Sequence, residues 1–266
     1  MKIICLNGWG GKLHKELLAY IDTEQPDVLC LQEVVHSPSA AKDWLEYRDD
    51  EHLLQQRANF FSDVARALPN HLATFCPAAQ GALWDGDIAV PSQWGLATFV
   101  RSTLPVIAQV QGFVHKTFSP HGYGEHPRSR VAHIVRLYDY AEDRSLCIGH
   151  MHGLRDPAGK GDTPERLAQA ERLAALIQCV AEEGRPLVIC GDFNVEPTSE
   201  TFAVLARLGL NDLVTAGGFN GTRSSHYRKP GRFADYMLVN DAVRVQHFDV
   251  VRDPEVSDHC PLGLQF

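Results

Sequence analysis

Nowhere does the chain run to the roughly 18 consecutive apolar residues that a membrane-crossing helix needs, so no transmembrane segment is expected. The opening Met1-Lys2-Ile3-Ile4-Cys5-Leu6-Asn7 offers one cation and too short an apolar run for a secretory leader, and none is expected. The seven cysteines (5, 30, 76, 147, 179, 190 and 260) are odd in number and form no CxxC pair. Most fall inside apolar runs, which reads as reduced core thiols in the cytoplasm and not as a disulfide framework. Cations are in deficit, 25 Lys and Arg against 33 Asp and Glu, for a formal net charge of −8. A protein that coats nucleic acid through bulk charge needs the opposite balance. An enzyme with one local basic patch does not. Repeats, low-complexity tracts and Ser/Gly-rich linkers are also lacking, so a single domain spanning 1–266 is expected.

What the chain does contain is ordinary globular composition, 44% hydrophobic and 22% charged over 266 residues, with ample length for a buried core. Short β-rich apolar runs ending in a polar residue recur at Lys2–Asn7, Asp27–Glu33, Gln93–Arg101, Val131–Tyr138, Ser145–His152, Pro186–Asp192, Phe233–Val239 and Val243–Val250. Leu13, Leu17 and Ile21 fall four apart and predict a short helix. Leu53 to Leu68 also fits a 3.6 period, with Pro69 as its stop. The clearest helix is Pro164–Glu183, with Thr163 as N-cap, Pro164 in the first helical position and Gly184 after the last. A further helix over 197–208 ends at Gly209. Strand follows strand in the middle and at the C-terminal end, so the class is α/β with substantial antiparallel content.

The chemistry gathers where these apolar runs stop. The first ends in Asn7, the second in Glu33, the fifth in His150 and His152, the sixth in Asp192 with Asn194 beyond it. Asp235 and Ser257-Asp258-His259 come later. In α/β sheets ligands bind at the carboxyl ends of strands. Converging carboxylates repel unless a cation or shared protons neutralise them. Oxygen-rich donors suit a hard ion such as Mg²⁺ or Mn²⁺. Alternation places His150 and His152 on one side of their strand, with His150 read as a satisfied core histidine. His14, His52, His71 and His247 are read as surface residues and Cys260 as packing. Two cationic loops are candidates for substrate binding. Ser119–Arg130 carries Tyr123, His126, Arg128 and Arg130, and Arg223–Arg232 carries Arg223, Tyr227, Arg228 and Lys229.

Asn7, Leu31-Gln32-Glu33, His152, Gly191-Asp192-Phe193-Asn194, Asp235-Tyr236 and Ser257-Asp258-His259 together resemble, in order and over nearly the whole chain, the endonuclease/exonuclease/phosphatase superfamily. The resemblance implies a four-layer sandwich in which two mixed, mainly antiparallel sheets pack face to face with helices on both outer faces. It also implies metal ligands at Glu33, Asn7 and Asp258, with Mg²⁺ or Mn²⁺ as cofactor. Asp192 then orients or deprotonates water, Asn194 donates to a phosphoryl oxygen, and Asp235 holds His259 against the phosphate. His152 serves the phosphate or leaving-group side. A carboxylate-paired histidine is expected to be more basic, favouring imidazolium. The implied activity is hydrolysis of a phosphodiester, in nucleic acid, a nucleotide or a phospholipid headgroup, with no obligate protein partner inferred.

Two departures narrow the branch. Trp9 stands where abasic-site endonucleases place an acid, and Arg228-Lys229-Pro230-Gly231-Arg232-Phe233-Ala234-Asp235 replaces the block of the inositol 5-phosphatase branch. Three alternatives remain at this level: a phosphomonoesterase on a sugar or inositol phosphate, a zinc hydrolase using His150 and His152, and a catalytically silent phosphate-binding module.

Overall fold

The computed structural model describes residues 1–49 and 53–266. Along the chain run β1 (Lys2–Asn7), α1 (His14–Glu24), β2 (Val28–His36), β3 (Trp44–Arg48), β4 (Leu53–Arg57), α2 (Phe60–Ala67), β5 (His71–Asp85), β6 (Ile88–Arg101), β7 (Val106–His115), β8 (Arg130–Asp139) and β9 (Arg144–His152). There follow α3 (Pro164–Val180), β10 (Leu187–Asp192), α4 (Glu200–Ala206), β11 (Asn211–Asp212), α5 (Leu213–Ala216), β12 (Asp235–Val239), β13 (His247–Val250) and β14 (Leu262–Gln265). They build two mixed sheets, one of eight strands in the order β13-β14-β1-β2-β6-β5-β3-β4 and one of six in the order β11-β12-β10-β9-β8-β7. Pairing is parallel at β1–β2 and at β9–β10, and antiparallel at the other paired strands.

Strand alternation decides what each face buries. In β1, Ile3 and Cys5 enter the core between the sheets, whereas Ile4 and Leu6 join Leu17 and Ile21 of α1 and Phe60 and Val64 of α2. In β2, Val28 and Cys30 face inward while Leu29 and Leu31 lie under the same helices. Both strands therefore read as unbroken apolar runs, as strands covered on two faces should. The six-stranded sheet is covered by α3, which packs on β7 and β8 and carries α4. The result is the expected layering, helices on both outer faces of two packed sheets.

The helix expected across Leu53–Leu68 is corrected. Leu53–Arg57 pairs antiparallel with Trp44–Arg48, and the helix starts only at Phe60. Hairpin pairing overrode a periodicity that the helical half alone supplies. Helix α3 stops at Val180 and not Glu183, because Ala181 turns extended and Glu182 reaches Arg136 at 2.6 Å and Ser145 at 2.5 Å. The helix expected over 197–208 is confined to Glu200–Ala206, with the Ser199 hydroxyl accepting from the Thr201 amide. Of the presumed surface histidines, His247 is exposed and His52 lies outside the described residues. His14 and His71 are half-buried, 3.0 Å from Asp63 Oδ2 and 2.8 Å from the Pro26 carbonyl oxygen.

Between the sheets runs one polar line. Thr98 Oγ1 lies 2.7 Å from His133 Nδ1 and 2.8 Å from His150 Nε2, while Gln32 Nε2 is 3.0 Å from His150 Nδ1. Both His150 ring nitrogens are thus held inside the core. Burial pushes His133 down to about 4, so the folded chain takes up this proton at a much lower pH than the unfolded chain does. An unfolded histidine protonates near pH 6.5, which draws the equilibrium toward the unfolded state as pH falls. Stability from His133 is therefore complete above that pH and is lost between 6.5 and about 4. We expect the unfolding free-energy gap between wild type and His133→Gln, read from urea titrations, to narrow by roughly 2 kcal/mol from pH 7.5 to pH 5. A gap that does not change with pH refutes a neutral buried His133.

Candidate active site

Two parallel strand pairs meet at one edge of the sandwich. β1 and β2 pack against β10, and the register places Asn7 beside Gln32 on one sheet and Asp192 beside His152 and Asp235 on the other. Asn7 Nδ2 donates across the gap to Asp192 Oδ2 at 3.0 Å. Asp192 Oδ1 accepts from the Asn194 amide at 3.1 Å. The glycine before Asp192 is required by packing: Gly191 has φ 140°, and a Cβ there would sit 2.1 Å from the Met151 carbonyl oxygen. Glu33 stands at the bulge that interrupts β2–β6 pairing between Leu31 and Val34, with φ 53°. Asn194 has the same φ. Such left-handed backbone at non-glycine residues costs on the order of 1–3 kcal/mol and is held only by its surroundings.

Asp192 Oδ2 is the hub. It lies 3.6 Å from His152 Nε2 and 3.6 Å from His259 Nε2, and His152 Nε2 is 4.0 Å from Glu33 Oε1. His259 Nδ1 is 2.8 Å from each Asp235 oxygen. A carboxylate only accepts, so Nδ1 carries the hydrogen and Nε2 accepts from Arg223 Nη1. Asp235 is itself fixed by Thr222, whose hydroxyl donates to Oδ2 at 2.7 Å. Ser257 Oγ donates to the Asn7 carbonyl oxygen at 2.6 Å and receives the His259 amide at 3.3 Å, which ties the last loop to the end of β1.

Burial governs the protonation of this cluster. It pushes Glu33 up to about 7, with the Asp258 carboxylate adding to the push. Asp235 rises to about 6 for the same reason, tempered by Arg223. Burial and the Arg223 charge push His259 down to about 4. The imidazolium expected from the Asp235 pairing is therefore corrected: Asp235 fixes the tautomer, but His259 is neutral in this arrangement. His152 is likewise held well below its ordinary value by burial, with Arg130 next in effect.

Asp192, Asp235 and His259 each present one ligand atom within 4.8 Å of the others, a grouping able to hold a metal ion. Both Asp235 oxygens are turned toward the His259 ring. The remaining oxygen donors are Asn7, Glu33 and Asp258. Arg223 is buried, forms an ion pair with Asp258 Oδ2 at 3.1 Å and lies 4.3 Å over the Tyr227 ring. Arg130 is 3% exposed, and its Nε and Nη1 find no hydrogen-bond partner among the described residues. Arg228 and Lys229 are exposed in the loop before β12 and make no hydrogen bond or ion pair to the cluster among the described residues. Sequence reasoning missed Thr222, and it missed Lys160, whose Nζ donates to the Phe233 carbonyl beside Asp235. The Gly159-Lys160-Gly161 loop after a strand end was the one available signal for Lys160.

Several solved structures share this fold. A mannosyl-6-phosphatase from Bacteroides thetaiotaomicron superposes with TM-score 0.71 at 14% identity, covering 100% of this chain and 98% of that one. The human Nocturnin catalytic domain with bound sulfate gives 0.62 at 21% identity, covering 99% and 92%. Humanized Danio rerio TDP2 gives 0.58 at 14% identity, covering 99% and 97%. At these identities the likeness speaks for the fold alone. No curated protein sequence matches the chain. Residues 6–259, from the end of β1 through His259, match the Endonuclease/Exonuclease/phosphatase family, and the chain belongs to it.

Proposed function

We propose that this chain is a divalent-metal-dependent phosphoesterase, one catalytic domain over 1–266, that hydrolyses a phosphodiester by direct in-line attack of water. The observation that carries the reading is the placement of Asp192 Oδ2 at 3.6 Å from both His152 Nε2 and His259 Nε2. This sets a carboxylate that can accept a proton beside two imidazole nitrogens, so the groups that hydrolysis by water requires converge at one point. Family membership supports the reaction class, since the family comprises hydrolases of phosphate esters. Six buried thiols and one exposed thiol, all free, fit the cytoplasm as the proposed location.

The donor set fits Mg²⁺ or Mn²⁺. Glu33 is crowded by the Asp258 and Asp192 charges, which a hard cation would relieve, and Asn7 and Asp258 complete an oxygen-rich surround. When bound, such an ion neutralises charge on a non-bridging phosphoryl oxygen. Asp192, fixed by Asn7 and by the Asn194 amide, takes the proton of the attacking water. Asn194 Nδ2, held only at 3.5 Å by the Gly153 carbonyl oxygen, turns to a phosphoryl oxygen without adding negative charge. His259, its tautomer set by Asp235, accepts from Arg223 at Nε2 and so aims that guanidinium at the phosphate. His152 faces the leaving group. Zinc chemistry through the His150/His152 pair is disfavoured, because Gln32 and Thr98 occupy both His150 ring nitrogens. Arg228 and Lys229 are left as groups that steer an anionic substrate from outside the cleft.

Asp192→Asn and His259→Ala should each lower kcat on bis-p-nitrophenyl phosphate by at least about a hundredfold while the circular dichroism and melting profile stay native. Near wild-type turnover in a variant removes that residue from the mechanism. After chelation, activity should return with Mg²⁺ or Mn²⁺, exceed that on p-nitrophenyl phosphate, and invert a chiral phosphorothioate diester in ¹⁸O-water. Retention of configuration or a strict zinc requirement contradicts the reading. Replacing Arg228 and Lys229 together by Ala should raise KM and flatten its salt dependence; unchanged kinetics would exclude them from steering.

A further inference from the structure

Beside the reaction centre lies a cavity of about 290 Å³ whose inner end is formed by Glu33 and Arg130. Its wall is aromatic, built from Tyr47, Trp94 and Tyr123 over an apolar floor that includes Val35 and Leu83. These rings are fixed in place. Tyr123 is 7% exposed and packs on Gly81, where a Cβ would come within 2.6 Å of the ring. Trp94 contacts the His152 ring at a centroid distance of 5.3 Å and lies 5.1 Å under the Arg130 guanidinium.

The cavity is also cationic in a chain of net charge −8. Arg128, Arg130 and Arg155 all line it. Arg128 sits 5.3 Å from the Tyr47 ring and 5.9 Å from the Tyr123 ring, and donates to the Tyr47 hydroxyl. Arg130 Nε and Nη1 and Arg128 Nε are buried without hydrogen-bond partners among the described residues, and no ion pair with a described residue reaches any of the three arginines. Burial and the neighbouring charges of Arg128 and Arg155 push Arg130 down to about 10, against the pull of Glu33 and Asp192. Asp49, at the same cavity, accepts from the Tyr47 hydroxyl at 2.6 Å. Three guanidinium groups outnumber the two carboxylates of the cavity, Glu33 and Asp49, and form no ion pair with a described residue; two of them are stacked over aromatic rings, which makes a prepared anion receptor.

We propose that this cavity binds the part of the substrate that is not attacked: a flat ring laid against the aromatic wall, with a second phosphate held by Arg128 and Arg155. Arg130, at the inner end, joins this site to the reaction centre. The substrate class that follows is a phosphate ester carrying a planar heterocycle and a further phosphate. Which phosphate is cleaved rests on the function proposed above; binding in the cavity does not.

Calorimetry on the full chain in the presence of a chelator, so that nothing turns over, tests it with adenosine 3′,5′-bisphosphate as probe. The bisphosphate should bind at least about tenfold more tightly than adenosine 5′-monophosphate and than glucose 1,6-bisphosphate, which lacks the flat ring. Arg128→Ala or Arg155→Ala should cut the preference over the monophosphate to about threefold or less. Arg155 is exposed, so its replacement places no burden on folding. Equal binding of bisphosphate and monophosphate, or a preference untouched by either variant, overturns the second phosphate site. Equal binding of the sugar bisphosphate overturns the ring site. A chain that shows these preferences yet hydrolyses no phosphoester refutes the proposed function and leaves the cavity assignment intact; hydrolysis without preference does the reverse.

Discussion

The hydrogen bond that joins the two sheets at the strand ends, from Asn7 to Asp192 at 3.0 Å, carries the geometry on which the reaction centre depends. It joins the end of β1 to the end of β10, so the facing parallel pairs must finish level with each other. An amide donating to a buried carboxylate is worth about 1.5–3 kcal/mol net, and its larger role is to keep Asp192 from being an uncompensated buried charge. Any slip of one sheet against the other breaks it. The core between the sheets, with Ile3, Cys5, Val188 and Cys190 packed at full burial, is what prevents that slip.

Several titratable groups at this edge are held away from their ordinary protonation by loss of solvent. Glu33 and Asp235 resist ionisation, His152 and His259 resist protonation, and burial is the leading cause in all four. The backbone is stressed at the same place, with Glu33 and Asn194 both at φ 53°. Groups held away from their solution preferences are positioned before a substrate arrives, so little reorganisation is left for the reaction itself. The supporting bonds of Thr222 to Asp235 and Ser257 to Asn7 make that arrangement rigid.

The anionic centre and the cationic cavity are complementary neighbours. Glu33 and Arg130 belong to both, which places a carboxylate set suited to a cation next to guanidinium groups suited to an anion. In a chain of net charge −8, that gathering of arginines is a local reversal of sign.

Much of this was legible without coordinates. The apolar runs of β1, β2, β9 and β10 fix strands covered on both faces; β1, β9 and β10 end in Asn7, His152 and Asp192, while β2 delivers Glu33 at a bulge and continues to His36. Gly191-Asp192 is readable because only glycine tolerates the approach of the Met151 carbonyl. Local pattern misled where pairing partners decided, as at Leu53–Arg57, a strand only because Trp44–Arg48 lies beside it. What sequence could not supply was distance and solvation. Arg223 and Arg228 look alike in one basic loop, yet folding buries the first against His259 and leaves the second in water. The neutral state of His259 and the meeting of Arg128 with Tyr47 and Tyr123 likewise arise from long-range packing, which sets dielectric and contact together and leaves no trace in residue spacing.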